Sequence, residues 1–235
     1  MKQRIKLWKL LLINFVLIFV LALVFAREDY LDKAARKVTG AHTPPNETPH
    51  YRTTVRIQER LVSQALVSSD VQIALIGDSI IEGWLTSAVV PKSVNLGVSR
   101  DDIPGLISRT NTDLVEHVPI WYLGIGVNDA FADAVIDDIP DYVERLTAIF
   151  GPADRLIWRA VLPVTGESWN DRQEEFRRAL NSAASLACQD MPNCTFLEPP
   201  VGYSTNIAEW TTDGLHPNPV GYQKLTEQLC SVIPC

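Results

Sequence analysis

Apolar residues follow two patterns along this chain: short continuous runs, and longer stretches in which they recur every three or four positions. Short apolar runs that end at glycine, proline or aspartate are typical of strands buried in a parallel sheet. This pattern predicts five strands, at residues 71–76, 93–96, 119–125, 155–162 and 195–197. The helical periodicity predicts helices at residues 55–67, 103–115, 139–150, 170–188 and 219–232. Because strands and helices alternate, we expect an α/β fold, a three-layer α/β/α sandwich around a parallel sheet.

Residues 1–26 have the pattern of a targeting segment. Four basic residues within the first nine positions precede an apolar run at residues 10–26. This run is long for the core of a cleaved signal peptide and just long enough for a membrane-spanning anchor, so both interpretations stay open. Either one places the following domain outside the cytoplasm. Residues 27–50 include a proline-rich stretch and are predicted to be an extended linker, which leaves residues 51–235 as one folded domain.

The overall charge limits the kinds of partner that the protein can have. The 235 residues carry a formal net charge of -7 at pH 7. Binding to nucleic acid needs a basic face, so the acidic balance argues against a nucleic-acid partner.

Four cysteines, Cys188, Cys194, Cys230 and Cys235, lie in the last part of the chain. An even number of cysteines in an exported protein predicts disulfides. Of the three possible arrangements, the simplest joins sequence neighbours, Cys188 with Cys194 and Cys230 with Cys235. Zinc binding is a competing interpretation, although neither pair has C-x-x-C spacing. Four free buried thiols are the alternative if the chain is not exported.

A candidate nucleophile stands at the end of the first predicted strand, where residues 71–76 run into Gly77-Asp78-Ser79. The carboxyl ends of strands carry the chemistry in an open α/β sheet, so Ser79 lies where a nucleophile is expected. A serine hydroxyl needs a base to take its proton. Asp213 and His216 are three residues apart, which lets the carboxylate hold one imidazole nitrogen while the other faces Ser79.

Acyl transfer through a serine also develops an oxyanion, which needs hydrogen-bond donors already in place. The candidates are the main-chain N–H of Ser79, the N–H of Gly97, which no side chain blocks, and the side-chain amide of Asn128. Taken singly, each of these short motifs is more often a turn or a surface loop than a catalytic element. Their order, at the ends of the first three strands and before the last helix, favours a catalytic assembly.

In this order the motifs resemble those of the SGNH, or GDSL-type, hydrolase family. They read Gly77-Asp78-Ser79, Gly97, Gly126-Val127-Asn128-Asp129 and Asp213-Gly214-Leu215-His216. The resemblance spans residues 70–230, and Leu162-Pro163 also resembles the platelet-activating-factor-acetylhydrolase-like branch. In one departure, Arg100-Asp101 stands where many members carry glycine followed by aspartate.

The resemblance implies a flavodoxin-like, five-stranded parallel sheet of order 2-1-3-4-5. It implies esterase, lipase or acetyl-transfer activity with no metal or other cofactor. It also implies Ser79 as the nucleophile, with Asp213 and His216 completing the catalytic triad. The oxyanion donors that it implies are Ser79, Gly97 and Asn128.

Several other residues have two interpretations. Trp84, Trp169 and Trp210 could line a pocket for an acyl chain or a sugar, while core packing is expected for at least one of them. Arg100 could bind an acidic group of the substrate or be a solvated side chain. Asp78 is expected to order the turn before Ser79.

Together these observations predict an exported serine esterase that hydrolyses short acyl esters, such as acetyl groups on a carbohydrate or a lipid. An O-acyltransferase that acts on an extracytoplasmic glycan is one alternative. A catalytically inactive module that binds glycans or lipids is another. The expected partners are a small ester or an acylated glycan or lipid, and also a membrane if the N-terminal segment stays uncleaved.

Overall fold

The computed structural model describes residues 51–58, 71–88, 90–110, 112–132 and 134–235. The predicted targeting segment and linker, residues 1–50, lie outside the described residues, so these predictions stay predictions. Residues 51–58 are helical. The rest of the helix predicted at residues 55–67 lies outside the described part of the chain.

Five parallel strands form one sheet in the order β2-β1-β3-β4-β5. The strands are β1 (Ile73–Gly77), β2 (Ser93–Gly97), β3 (Ile120–Gly124), β4 (Arg155–Arg159) and β5 (Cys194–Leu197). Gly77 at the end of β1 lies opposite Gly97 of β2 and Gly124 of β3, so these three strands end at one level. The predicted fold class and strand order are confirmed.

Helices connect the strands and cover both faces of the sheet. After residues 51–58, the helices of the described residues are α1 (Ser79–Glu82), α2 (Ile103–Arg109), α3 (Thr112–Glu116), α4 (Val127–Phe131), α5 (Ile139–Phe150), α6 (Asp171–Asp190), α7 (Ile207–Trp210) and α8 (Pro219–Cys230). The one-turn helices α1, α4 and α7 were not predicted, because a single turn is too short to show a helical period. Asn170 caps α6, and its side chain accepts a hydrogen bond from Gln173 N–H.

Two predicted elements differ from the structure. The helix predicted at residues 103–115 is divided into α2 and α3, because Thr110 takes an extended backbone conformation (φ -119°, ψ 138°). The strand predicted at residues 155–162 ends at Arg159. Beyond it, the Asn181 side chain bonds both the N–H and the carbonyl oxygen of Val161, and thereby replaces a neighbouring strand.

The core consists of two apolar layers, one on each face of the sheet. Ala74 and Ile76 of β1 point into the layer that α5 and α6 cover, whereas Ile73 and Leu75 point into the layer that α1 and α8 cover. Both faces of β1 are thus buried, which explains its unbroken apolar sequence. The layers fix the carboxyl edge of the sheet between helices on both sides.

All four cysteines are in disulfides, Cys188 with Cys194 and Cys230 with Cys235. The predicted pairing of sequence neighbours is therefore confirmed, and the zinc and free-thiol alternatives are excluded for this structure. Disulfides of this kind favour an oxidising compartment outside the cytoplasm. Among the described residues, no helix has the length and apolar character needed to cross a membrane.

Candidate active site

Ser79 begins helix α1 directly after the carboxyl end of β1. Asp78 caps this helix, since its side chain accepts a hydrogen bond from Ile80 N–H at 2.9 Å. The expected role of Asp78 in ordering the turn is thus confirmed. The residue before Asp78 has to be glycine, because a Cβ on Gly77 would clash with the carbonyl oxygen of Gly124.

A buried cation, Arg159, lies beneath this turn. Both Arg159 and Asp78 are 1% exposed. The Arg159 guanidinium packs on Gly124, where a Cβ would lie 2.7 Å from Nη2. Burial raises the pKa of Asp78, and the positive charge of Arg159 opposes that rise. In the sequence, Arg159 falls within the fourth predicted strand, and no motif marks it as part of the site.

Ser79, His216 and Asp213 form a continuous chain of hydrogen bonds. Ser79 Oγ lies 3.0 Å from His216 Nε2, and His216 Nδ1 lies 2.7 Å from Asp213 Oδ2. The other carboxylate oxygen, Asp213 Oδ1, accepts from the main-chain N–H groups of His216 at 2.7 Å and Leu215 at 3.1 Å. Desolvation alone would raise the pKa of Asp213, but these hydrogen bonds and the charge of His216 outweigh it and lower the pKa. The carboxylate therefore stays ionised and orients the imidazole ring.

The turn that carries Asp213 and His216 is fixed to the rest of the domain. Thr211 and Pro217 form an antiparallel bridge across its base. Its Gly214 carbonyl oxygen accepts from Thr165 N–H at 3.0 Å. Gly214 has a φ of 84° and faces the Thr165 backbone, so a side chain would clash there. The Asp213 and His216 side chains are 52% and 41% exposed, so this side of the site is open to solvent.

Gly97 does not have the free N–H that was predicted for an oxyanion donor. Its N–H donates to the side-chain oxygen of Asn95 at 2.9 Å. The amide nitrogen of Asn95 in turn donates to the carbonyl oxygens of Ile81 and Trp84. A Cβ on Gly97 would clash with the backbone of Glu82, so glycine is needed here for the close packing of β2 on α1. The role of Gly97 as an oxyanion donor stays a prediction, and this hydrogen bond counts against it.

Asn128 lies in the first turn of α4, next to the carboxyl end of β3. Its amide nitrogen donates to the main-chain carbonyl oxygen of Asp101 at 2.9 Å. A side-chain amide has two N–H protons, so one remains available to a substrate. Asp129 is 2% exposed and accepts from Ile103 N–H, which joins α4 to the start of α2.

Arg100 lies in the 98–101 turn, the segment at residues 98–101 that follows β2. Its φ of 67° is in the left-handed region, which non-glycine residues rarely adopt. Val98 N–H donates to the Gly77 carbonyl oxygen, and Asp101 N–H donates to that of Val98. The departure of the sequence from the family pattern therefore falls where the backbone takes a conformation that favours glycine. The side chain of Arg100 is exposed.

The three tryptophans have different surroundings. Trp84 is 4% exposed and its indole donates to Thr226, so it packs in the core as expected for at least one of them. Trp169 makes an edge-to-face contact with Phe131 in α4, with ring centroids 5.1 Å apart. Trp210 lines a surface groove beside α8.

This geometry suits acyl transfer. A hydroxyl lies within hydrogen-bonding distance of an imidazole nitrogen, and a carboxylate holds the opposite nitrogen. The amide of Asn128 lies at the same edge of the sheet. The fold and the site together thus define a hydrolase of the SGNH type.

Comparison with known proteins gives the family. The sequence profile of the GDSL-like lipase/acylhydrolase family matches residues 75–224. The chain therefore belongs to this family, and the predicted class, a serine ester hydrolase, is confirmed. No curated protein matches the chain in sequence.

Solved structures share the fold at identities below 25%. A protein from Streptococcus pneumonia whose name refers to platelet activating factor has 22% identity and a TM-score of 0.59, over 77% of this chain and 94% of its own. A mutant of Axe2, an acetyl-xylooligosaccharide esterase from Geobacillus, has 17% identity and a TM-score of 0.58, over 70% of this chain and 94% of its own. A GDSL-like lipase from Bacteroides thetaiotaomicron has 16% identity and a TM-score of 0.55, over 74% of this chain and 95% of its own.

Proposed function

We propose that the protein is an exported serine esterase that hydrolyses small acyl esters, with Ser79 as nucleophile, His216 as base and Asp213 as the group that orients the base. The observation that carries this proposal is the unbroken path of hydrogen bonds, 3.0 Å from Ser79 Oγ to His216 Nε2 and 2.7 Å from His216 Nδ1 to Asp213 Oδ2.

In the proposed reaction, Ser79 Oγ attacks the carbonyl carbon of the ester while His216 Nε2 takes the hydroxyl proton. The carbonyl oxygen becomes an oxyanion. When the tetrahedral intermediate collapses, the C–O bond to the alcohol breaks and His216 returns the proton to the leaving oxygen. Water then attacks the acyl-serine by the same steps, and releases the carboxylic acid and free Ser79.

For the oxyanion we propose the N–H of Ser79, the second amide proton of Asn128 and the main-chain N–H of Arg100. The last replaces Gly97, whose N–H bonds Asn95. Within the described residues, neither the Ser79 N–H nor the Arg100 N–H has a hydrogen-bond acceptor. Donors without a partner in the resting protein are the ones that a developing oxyanion can use.

Solvent access favours hydrolysis over transfer to a sugar. The side chains of Asp213 and His216 are 52% and 41% exposed, so water reaches the proposed base without a conformational change. The proposed substrates are acetyl-type esters of a carbohydrate or a lipid. In support, an acetyl-xylooligosaccharide esterase shares this fold.

Export is the part of the proposal that rests on the N-terminal sequence. The basic, apolar segment at residues 1–26 would direct the domain across a membrane, as a cleaved signal or as an anchor. The two disulfides support a compartment in which thiols are oxidised.

Two separate assays test the proposal: covalent labelling with a fluorophosphonate, and hydrolysis of p-nitrophenyl acetate by the unlabelled protein. We expect the wild-type chain to be labelled on Ser79, and Ser79→Ala to lose both labelling and nearly all turnover, because loss of the nucleophile costs several orders of magnitude. Ser204→Ala, which changes an exposed serine in a turn, is the matched control. Wild-type turnover in Ser79→Ala would refute the mechanism. An unlabelled, inactive wild type would favour a binding module.

A further inference from the structure

The 98–101 turn lies between the two helices that carry the proposed nucleophile and an oxyanion donor. On one side, Ser99 Oγ donates to the carboxylate of Glu82 in α1. On the other, the Asp101 carbonyl oxygen accepts from the Asn128 amide of α4 at 2.9 Å. Arg100 stands between these contacts, and its backbone is therefore at the rim of the site.

Buried contacts hold this turn in place. Asp101 is fully buried, and its carboxylate accepts from Tyr51 Oη at 2.8 Å and forms an ion pair with Arg109 at 2.7 Å. A second N–H of Arg109 donates to the Gly77 carbonyl oxygen, one peptide before Asp78. The contacts of Ser99 and Asp101, the residues on either side, thus hold Arg100 in its unusual φ. They also fix the position of its Cβ relative to Ser79.

The guanidinium of Arg100 has no carboxylate partner among the described residues, although acids lie close in sequence and space. Each of those acids has another partner. Glu82 accepts from Ser99, Asp101 pairs with Arg109, and Asp102 caps α2 by accepting from Gly105 N–H at 2.7 Å. An exposed arginine that three neighbouring carboxylates leave unpaired is available to an anion from outside.

We propose that Arg100 selects substrates by binding an anionic group, a carboxylate or a phosphate, that the ester carries near its scissile bond. Guanidinium binds both anions through paired N–H donors, and it stays charged at every physiological pH. The inference rests on the proposed function and adds to it a substrate class: acyl esters of acidic glycans or of phosphate-bearing lipids. Arg100 then has two separate roles, with its N–H at the oxyanion and its side chain at the substrate anion.

Matched pairs of acetate esters test this inference. One pair is 4-acetoxybenzoate and its uncharged methyl ester, and the other is 4-acetoxyphenyl phosphate and 4-methoxyphenyl acetate. The measured quantity is the ratio of kcat/KM for the anionic ester to that for its neutral partner, in wild type and variants. Because intrinsic ester reactivity is the same for every variant, only a change in this ratio between proteins reports on recognition.

Three variants are compared with wild type. Arg100→Gln removes the charge and keeps the main-chain N–H, while Arg100→Lys keeps a charge without the paired donors. Arg145→Gln removes an exposed arginine charge on α5 and controls for net charge. We expect the ratio to fall about tenfold in Arg100→Gln, as loss of one charged hydrogen-bonding partner predicts, and less in Arg100→Lys. It should be unchanged in Arg145→Gln, and added salt should lower the wild-type ratio.

The outcomes separate this inference from the proposed function. If the wild type hydrolyses neutral esters and Arg100→Gln leaves both ratios unchanged, the inference is wrong and the esterase proposal stands. If the wild type hydrolyses none of the esters, the proposed function is wrong and the inference falls with it. A fall confined to one pair identifies the anion, carboxylate or phosphate, that the site recognises.

Discussion

The side-chain amide of Asn128 donates to the main-chain carbonyl oxygen of Asp101 at 2.9 Å, and this bond joins α4 to the turn that holds Arg100. The amide thereby has two tasks. One proton fixes the distance between two segments of the site, and the other is free for the oxyanion that we propose. Loss of the side chain should affect the reaction more than the folded state, because the bond is one of several that hold the turn.

Replacement of Asn128 by alanine should lower kcat by about 10²–10³ with little change in KM, since the donor acts mainly in the transition state. Steady-state kinetics on p-nitrophenyl acetate measures this. Asn206→Ala is the control, because it also removes an amide that donates to a main-chain carbonyl, that of Gly202, and Asn206 is not among the proposed catalytic residues. An effect on KM alone would show that Asn128 binds substrate and does not stabilise the oxyanion.

The sequence singles out Ser79, His216 and Asp213, which the fold brings within hydrogen-bonding distance of one another, but it also singles out Gly97, whose N–H bonds Asn95. Gly97 is a glycine because β2 packs on the backbone of α1, a contact that no sequence pattern shows. The left-handed backbone is at Arg100, where the residue type argues against it. What imposes it is a set of contacts from Tyr51, Arg109 and Asn128, and these are known only once the chain is folded.

The alternation of strands and helices was predictable because buried parallel strands are short apolar runs and the intervening helices are periodic, whereas the order of the strands followed only from the resemblance to the SGNH family. The residues at which helices and strands end were harder to predict. The apolar sequence of β4 continues to Leu162, yet the strand stops at Arg159 because the Asn181 side chain takes the hydrogen bonds of Val161. In the sequence, Arg159 has the pattern of an ordinary strand residue. Its guanidinium can be buried beneath the turn at Ser79 because Gly124 has no side chain to occupy that space.

Replacement of Asp129 by asparagine should increase stability more at pH 7.5 than at pH 4.5. Burial raises the pKa of Asp129 well above its ordinary value, and the charge of Asp102 adds to the rise. The unfolded carboxyl loses its proton near pH 3.9, while the folded one keeps it to higher pH. As pH rises through this window the folded state binds more protons than the unfolded state, so stability falls, and an amide removes this loss.

Urea unfolding at both pH values measures the effect. The stability difference between variant and wild type should grow by about 1 kcal/mol or more from pH 4.5 to 7.5, since one pKa unit corresponds to about 1.4 kcal/mol. Asp137→Asn, at an exposed carboxylate, is the control. A difference that stays constant with pH would mean that Asp129 is ionised in the folded protein throughout.

The two disulfides should contribute unequally to stability. They join residues six and five positions apart, so the chain-entropy model gives about 2 kcal/mol for each. Cys188 is 6% exposed within the core, whereas Cys230 is only partly buried. The double variant Cys188→Ala/Cys194→Ala should therefore lose more free energy of unfolding than Cys230→Ala/Cys235→Ala. Denaturation of both variants beside wild type measures this, and equal losses would count against a role for core burial.

The last prediction concerns the length of the acyl chain. The loops that border the site are short: β2 begins at Ser93, 11 positions after α1 ends at Glu82, and the 3₁₀ turn Ile136–Asp138 follows α4 closely. Their described residues contain no helix of their own beyond the 3₁₀ turns Thr86–Ala88 and Ile136–Asp138. The side chains of Asp213 and His216, two members of the proposed triad, are about half exposed. A site of this shape covers little of a long acyl tail.

A channel for long chains would have a clear kinetic signature. Each buried methylene contributes about 0.8 kcal/mol, so the four that separate octanoate from butyrate would together raise kcat/KM by roughly two orders of magnitude. Without such a channel the added methylenes stay in water and gain nothing. We therefore expect p-nitrophenyl acetate and butyrate to be hydrolysed with higher kcat/KM than octanoate and longer esters. A series from acetate to laurate measures this below the solubility limit of each ester. A maximum at octanoate or beyond would show that the site holds a longer acyl chain, and the substrate class would then be a long-chain lipid ester.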